Sequence, residues 1–357
     1  MAKQSSTKKS PLRVAFIGAG GIAGTHMQCL KDMGDVQIVA AADLNKKGVE
    51  AKAQEFGFDG VYTDYKKMLK EVKPDAVSVC TPNGLHAQNT IDALNAKAHV
   101  IVEKPMAMNA KDAQKMVDVA KRNKRKLVIG FQYRYSPSTQ VIRQAVDAGK
   151  FGKVLYGRVQ ALRRRGIPSW GVFGRKDLQG GGPMIDIGVH ALEMTHYAMG
   201  SPKPVSAVGS IFTYLGNKKP VTHAPWGPWD YKTYTVEDLA VGQIRFDNGA
   251  VISIESSFAG HMKEDKMTFE IWGEKAGATF DPLSIQTDMD GQMVNIQPDR
   301  MPAESFQENF KLKMRSFVEH VLYNKPTQAP GEAGVAVQKM LDAIYLAAEK
   351  GKEVTIK

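Results

Sequence analysis

Cysteine is scarce: the 357 residues hold two, Cys29 and Cys80. Two thiols build neither a disulfide framework nor a metal-ligand spacing, which excludes a stapled secreted scaffold and a zinc module and fits a reducing cytoplasm. Long apolar runs are missing too. None approaches the roughly 20 residues of a membrane span, so no membrane partner is expected. The opening MAKQSSTKKSPLR has no apolar core and is not read as a secretory signal; residues 1–10 read as a short disordered basic arm. Acid is in deficit, 37 Asp and Glu against 48 Lys and Arg, leaving a formal charge of +11. Such a surplus can serve nucleic acid. Here the basic runs Lys121–Lys126 and Arg163–Arg165 carry no interleaved aromatics, and solvated helix ends plus attraction for an anionic cofactor explain the charge as well. Neither nucleic acid nor metal is expected.

What is present is glycine in one telling place. The apolar run Leu12–Ile17 is followed by GAGGIA, Gly18 to Ala23, the G-x-G-x-x-A spacing of a dinucleotide-binding turn. Gly18 permits the tight turn, Gly20 lets backbone approach a pyrophosphate, and Ala23 allows close helix–strand packing. Gly21 and Ile22 open the helix whose N–H groups face the phosphates. A second apolar run ends at Asp43, where a carboxylate can accept from the adenosine ribose hydroxyls. That charge disfavours the ribose phosphate of NADP, so NAD is the expected cofactor, although Lys46 and Lys47 leave NADP open. Apolar runs then alternate with helical stretches (Lys46–Phe56, around Tyr65–Val72, about His86 to Lys97, Lys111–Asn123) as far as Gln132. This predicts a parallel sheet wound on both faces over residues 11–132. Ligands bind beyond the carboxyl ends of such strands, which singles out Thr81-Pro82-Asn83, Glu103-Lys104-Pro105 and Gln132-Tyr133-Arg134.

The motifs GAGGIA, TPNGLHA, EKPMAMN, GFQYRYSP and GGGPMIDIGVH, in this order, resemble those of the Gfo/Idh/MocA dehydrogenases. The likeness extends over nearly the whole chain, through VGQIRFDNGAVISIESSF to the closing helix around Gly334–Lys350. It implies a Rossmann domain followed, over 133–357, by an α+β domain with an open, mainly antiparallel sheet whose exposed face pairs subunits into a homodimer or homotetramer. It also implies that Lys104 meets Asp186 and His190 at the nicotinamide, and that the bond before Pro105 is cis. Members that oxidise ring hydroxyls of sugars look most similar. The expected substrate is therefore a pyranose or glycoside, with carbon 3 weakly favoured. The alternatives are an inositol or other polyol, an NAD-dependent glycosidase that oxidises transiently, and a non-catalytic dinucleotide sensor.

Removing hydrogen from a secondary alcohol requires a hydride path, a proton acceptor and a partner for charge on oxygen. Lys104 suits the last and His190 the second, although their proton roles can be exchanged. Asp186, one helical turn before His190 and so on the same face, either orients the imidazole or contacts a substrate hydroxyl. The glycines of GGGP are expected to let backbone pass close to a ligand, and Pro183 suits a first helical turn. Softer candidates are Tyr133, Arg163 and Arg164 for substrate, and Thr81, Asn83, His86, Glu103, Gln132 and Trp170 for cofactor. The aromatic segment His223–Tyr234 reads as a sugar-stacking lip, a subunit contact or plain loop packing.

Overall fold

The computed structural model describes residues 10–302 and 304–357; apart from Ser10, the basic arm lies outside them. Six strands make the first sheet: β1 (Leu12–Ile17), β2 (Val36–Ala42), β3 (Gly60–Tyr62), β4 (Ala76–Val79), β5 (His99–Val102) and β6 (Leu127–Ile129). Their order is β3-β2-β1-β4-β5-β6, and every pairing is parallel. Crossovers run through α1 (Gly21–Lys31), α2 (Lys46–Phe56), α3 (Tyr65–Val72), α4 (Asn83–Asn95) and α5 (Ala110–Asn123). Helix starts follow short polar side chains that accept from free N–H groups: Asn45 from Gly48, Asp64 from Lys66 and Lys67, Asn109 from Asp112. Helix α4 begins three residues earlier than expected because Pro82 already fits its start. The strand expected to reach Gln132 stops at Ile129, and Gln132–Tyr135 coil into a 3-10 turn. The strand order reverses between β1 and β4, so the crevice for a ligand opens at their carboxyl ends.

The second sheet is mixed and mostly antiparallel. After α6 (Pro137–Asp147) come β7 (Val154–Leu162), a short α7 (Lys176–Gln179), a π-helical turn (Met184–Gly188) and α8 (Val189–Ala198). Then follow β8 (Pro204–Phe212), β9 (Leu239–Phe246), β10 (Val251–Ser257), β11 (Lys266–Gly273), β12 (Ala276–Thr279), β13 (Ser284–Met289) and β14 (Gln292–Ile296), with β15 (Val354–Thr355) at the end. The nine strands lie in the order β14-β13-β12-β11-β7-β10-β9-β8-β15, and β7–β10 pair in parallel. Along β10, Ile252 and Ile254 are buried while Val251 and Glu255 are less covered, the alternation of a sheet packed on one face. Helix α8 packs on β7 and β11. The last long helix, α10 (Gly331–Lys350), packs on β8 and also returns to α5 and β6. Asp342 of α10 accepts from Ala110 N at the start of α5, 2.6 Å away. Helix α9 (Phe306–Tyr323) lies against α1. Among the described residues, no helix is long and apolar enough to cross a membrane.

Candidate active site

The glycine turn is shaped by its neighbours. Gly18 has φ +91°, and a Cβ there would sit 2.6 Å from Cys80 O, so β1 and β4 meet too closely for any side chain. Cβ atoms on Gly20 and Gly21 would meet nothing within 4 Å. These two face open space at the start of α1, where Ile22 and the buried Ala23 follow. Such a cradle fits a dinucleotide pyrophosphate. Asp43, just past β2, accepts from Ala19 N (2.8 Å) and from Asn45 N (2.9 Å). It therefore braces the turn while keeping a carboxylate at its rim.

Beyond β4 and β5 the roles divide. Thr81 donates its hydroxyl to Asn89 (2.9 Å), and Asn83 donates to Gln179 O (3.1 Å), joining α4 to α7 of the second half. His86 is buried, with its ring nitrogens 2.7 Å from Pro105 O and Thr81 O. That corrects its expected place on the cofactor: it clasps two strand ends together. Glu103 also points inward. Its Oε1 lies 2.6 Å from Lys313 Nζ and 2.9 Å from His26 Nε2, and its Oε2 accepts from Lys104 N (3.2 Å). Lys313 is fully buried on α9, and burial together with its charge drives His26 down to about 4. The sequence reading missed both His26 and Lys313. The Lys104–Pro105 bond is cis, as expected.

On the facing side, Gly182 and Met184 donate their N–H groups to the buried Glu237 carboxylate at 2.9 and 3.3 Å, and Tyr345 OH donates to it at 2.7 Å. A Cβ on Gly181 would collide with Tyr345, and one on Gly182 with Glu237 O. These glycines therefore serve close packing of the chain on itself, not the approach of a ligand as expected. Pro183 opens the turn as expected, with φ −58°.

Asp186 sits within the π-helical turn, where residues four apart no longer share a face as they do at 3.6 residues per turn. Its carboxylate does not touch His190. It takes the Lys104 ammonium at 3.0 Å, and its backbone carbonyl accepts from the same Nζ at 2.9 Å. Orientation of the imidazole by Asp186 is thus replaced by a lysine–aspartate pair joining the two halves. His190 is packed beside it, edge-on to the Tyr133 ring with centroids 5.3 Å apart. Burial first, and then the Lys104 charge, hold the imidazole well below its usual range. Its Nδ1 is sealed in the interior without a partner. Gln132 is buried as well, with Oε1 unpartnered.

Arg163 leaves the end of β7, donates to Gly166 O (3.2 Å) and lies over the Trp226 ring. Burial pushes the Arg163 guanidinium down, and the Asp186 and Asp265 carboxylates partly offset the loss of water. Arg164 is exposed and bonded through its backbone: its N–H donates to Asp265 (2.7 Å), and its carbonyl accepts from Arg165 (2.6 Å) and from Gly260 N (3.0 Å). Trp170 is likewise exposed, and its described ring contacts are Phe173 and Trp226.

Residues 12–131 match the oxidoreductase family NAD-binding Rossmann fold, and residues 143–356 match the same family's C-terminal alpha/beta domain. A D-glucoside 3-dehydrogenase of Escherichia coli (strain K12) is 38% identical over 99% of this chain and 100% of its own length. A myo-inositol 2-dehydrogenase of Thermotoga maritima is 26% identical over 96% of each chain. A solved levoglucosan dehydrogenase, in complex with NADH and levoglucosan, superposes with a TM-score of 0.83 at 24% identity, over 97% of this chain and 100% of that one. With both halves matched, the chain belongs to the Gfo/Idh/MocA family of NAD(P)-dependent oxidoreductases.

Proposed function

We propose that this protein oxidises a ring hydroxyl of a D-glucoside, at carbon 3, with NAD as the hydride acceptor. The observation that carries the reading is the Lys104 ammonium on the Asp186 carboxylate, with His190 kept neutral by burial and by the Lys104 charge. A bound NAD supplies the hydride-accepting ring. The chain's own residues do the rest. Lys104, held by Asp186, donates a hydrogen bond to the substrate oxygen and favours its alkoxide character. His190 takes the hydroxyl proton at Nε2, the ring nitrogen not sealed in the interior, and burial keeps that nitrogen unprotonated at neutral pH. Asp186 keeps the ammonium in place and can accept from a neighbouring ring hydroxyl. Tyr133 packs against the imidazole, and Arg163 carries a second donor fork near Asp186. NAD is favoured over NADP because the Asp43 carboxylate repels a ribose phosphate. The choice of a glucoside rests on the full-length likeness to the Escherichia coli dehydrogenase. Subunits pair through the sheet face that carries Val208, Trp272 and Arg158 outward.

The test is reduced-cofactor formation across glucosides, free sugars, levoglucosan and inositols, with NAD and NADP supplied separately and product carbons assigned by NMR. Alkyl glucosides oxidised at carbon 3 with NAD are expected. Turnover of inositols alone, or cleavage of the glycosidic bond without accumulating NADH, would overturn the reading.

A further inference from the structure

The proposed chemistry gives Arg163 a donor fork but leaves the aromatic rings around it without a task. The Arg163 guanidinium lies 4.9 Å from the Trp226 ring centroid and 5.6 Å from that of Phe258. Trp226 meets Trp170 edge-on at 5.2 Å, and Trp170 meets Phe173 at 6.1 Å. The two indoles are 41% and 53% exposed. Its inner end is Arg163, which leaves β7 near enough to Asp186 to feel that carboxylate, and Tyr133 packs edge-on to His190 on the same side. It ends in solvent.

The strip is held in place. Ser169 donates its hydroxyl to Trp226 O. Trp229, three residues on, is buried and donates its indole N–H to Gly216 O at 2.7 Å. Arg165 donates to Thr222 Oγ1 (3.0 Å) and to Gly260 O (3.1 Å), tying together the loops on either side. A cavity of about 920 Å³, lined by Arg165, Thr222, His223, Pro225 and His261, opens next to the same segments. Adjacent exposed indoles on a braced loop at the mouth of a site are apolar area waiting for a flat partner. A guanidinium at the inner end supplies donors for a ring or bridging oxygen.

We propose that Arg163, Trp226 and Trp170 form the subsite for the aglycone of the oxidised glycoside, and that it selects aglycones carrying a second ring. This rests on the glucoside reading above. A sugar ring with one hydroxyl between Lys104 and His190 leaves its anomeric substituent to run outward along the strip. An aromatic ring or a second pyranose can lay a flat face on Trp226, whereas a methyl group leaves the indole wet.

The experiment compares methyl β-D-glucoside, phenyl β-D-glucoside and cellobiose on the unaltered enzyme and on Trp226→Ala and Trp226→Phe. The phenyl glucoside and cellobiose should have the lower KM on the unaltered enzyme. Trp226→Ala should raise both by about five- to tenfold, change the methyl glucoside less than twofold, and be largely rescued by Phe. A rise for only one of the two distinguishes an aromatic from a saccharide aglycone, and either supports the subsite. Equal losses for all three substrates, with a changed sedimentation coefficient, would make the strip a subunit contact and overturn the proposal, as would no change at all. If no glucoside is oxidised, the functional reading fails, and the subsite is judged alone by tryptophan fluorescence. Saturable quenching by phenyl glucoside that Trp226→Ala abolishes would uphold it, and its lack would end it.

Discussion

Lys104 is the residue on which the two halves converge. Its ammonium reaches both the side chain and the carbonyl of Asp186, while its backbone N–H is held by Glu103. Those contacts fix the charge in a partly buried cleft, where a donor acts on a developing alkoxide more strongly than in water. Truncation to alanine should therefore remove the donor without touching the glycine turn. Lys104→Ala is expected to lower kcat by about a hundred- to a thousandfold, with NADH affinity, read by fluorescence titration, changed less than threefold. Turnover near the unaltered rate would take the lysine out of the chemistry.

At the scale of elements, the support under Lys104 comes from α9, far along the chain. Lys313 puts a fully buried ammonium 2.6 Å from Glu103 and 2.9 Å from His26 Nε2. Removing one partner of a buried pair strands the other. Lys313→Met should cost about 3–5 kcal/mol of unfolding free energy at pH 8. The loss should shrink at pH 5, because without the neighbouring ammonium His26 can take a proton and pair with Glu103. Urea titrations at the two pH values check this, and a cost equal at both would separate His26 from the network. This element shows where the sequence stops being informative. The glycine turn and the strand end that carries Lys104 were legible because each is local, a spacing or an apolar run that stops, whereas Asp186 and His190 were singled out by the family resemblance of GGGPMIDIGVH. The depth at which Lys313 of α9 lies was not legible, because burial of a charge depends on partners contributed by α1 and the end of β5. The π-helical turn was hidden for a related reason. A 3.6-residue period was assumed across Asp186–His190, and the shift in face comes from tertiary anchoring of Gly182 and Met184 on Glu237.

Over the whole molecule, the joint between the two sheets is itself ionisable. Arg134, in the 3-10 turn after β6, donates to Glu193 of α8 at 2.6 Å and to Gln328 O before α10 at 2.8 Å, with its guanidinium 4.9 Å from the Phe131 and 5.0 Å from the Tyr197 ring centroid. Both titrating groups on that stretch of α8 are buried, and burial moves them in opposite senses. Glu193 is raised to about 7, Arg134 only partly offsetting the loss of water. His196, whose Nε2–H donates to Pro202 O, falls to about 4. A carboxyl raised in the fold binds its proton more tightly there than in the unfolded chain, so its contribution is present below its ordinary 4.5 and lost as pH climbs through 7. A histidine depressed in the fold contributes fully above its ordinary 6.5 and loses that as pH falls toward 4. Shifts of this size correspond to roughly 3 kcal/mol each. Measured as unfolding free energy against pH, the unaltered protein should lose stability relative to Glu193→Gln as pH rises from 4.5 to 7. It should lose stability relative to His196→Asn as pH falls from 6.5 to 4. Two differences with the same sign of slope would mean that the Arg134 charge outweighs the loss of water at Glu193, because loss of water alone drives an acid up and a base down.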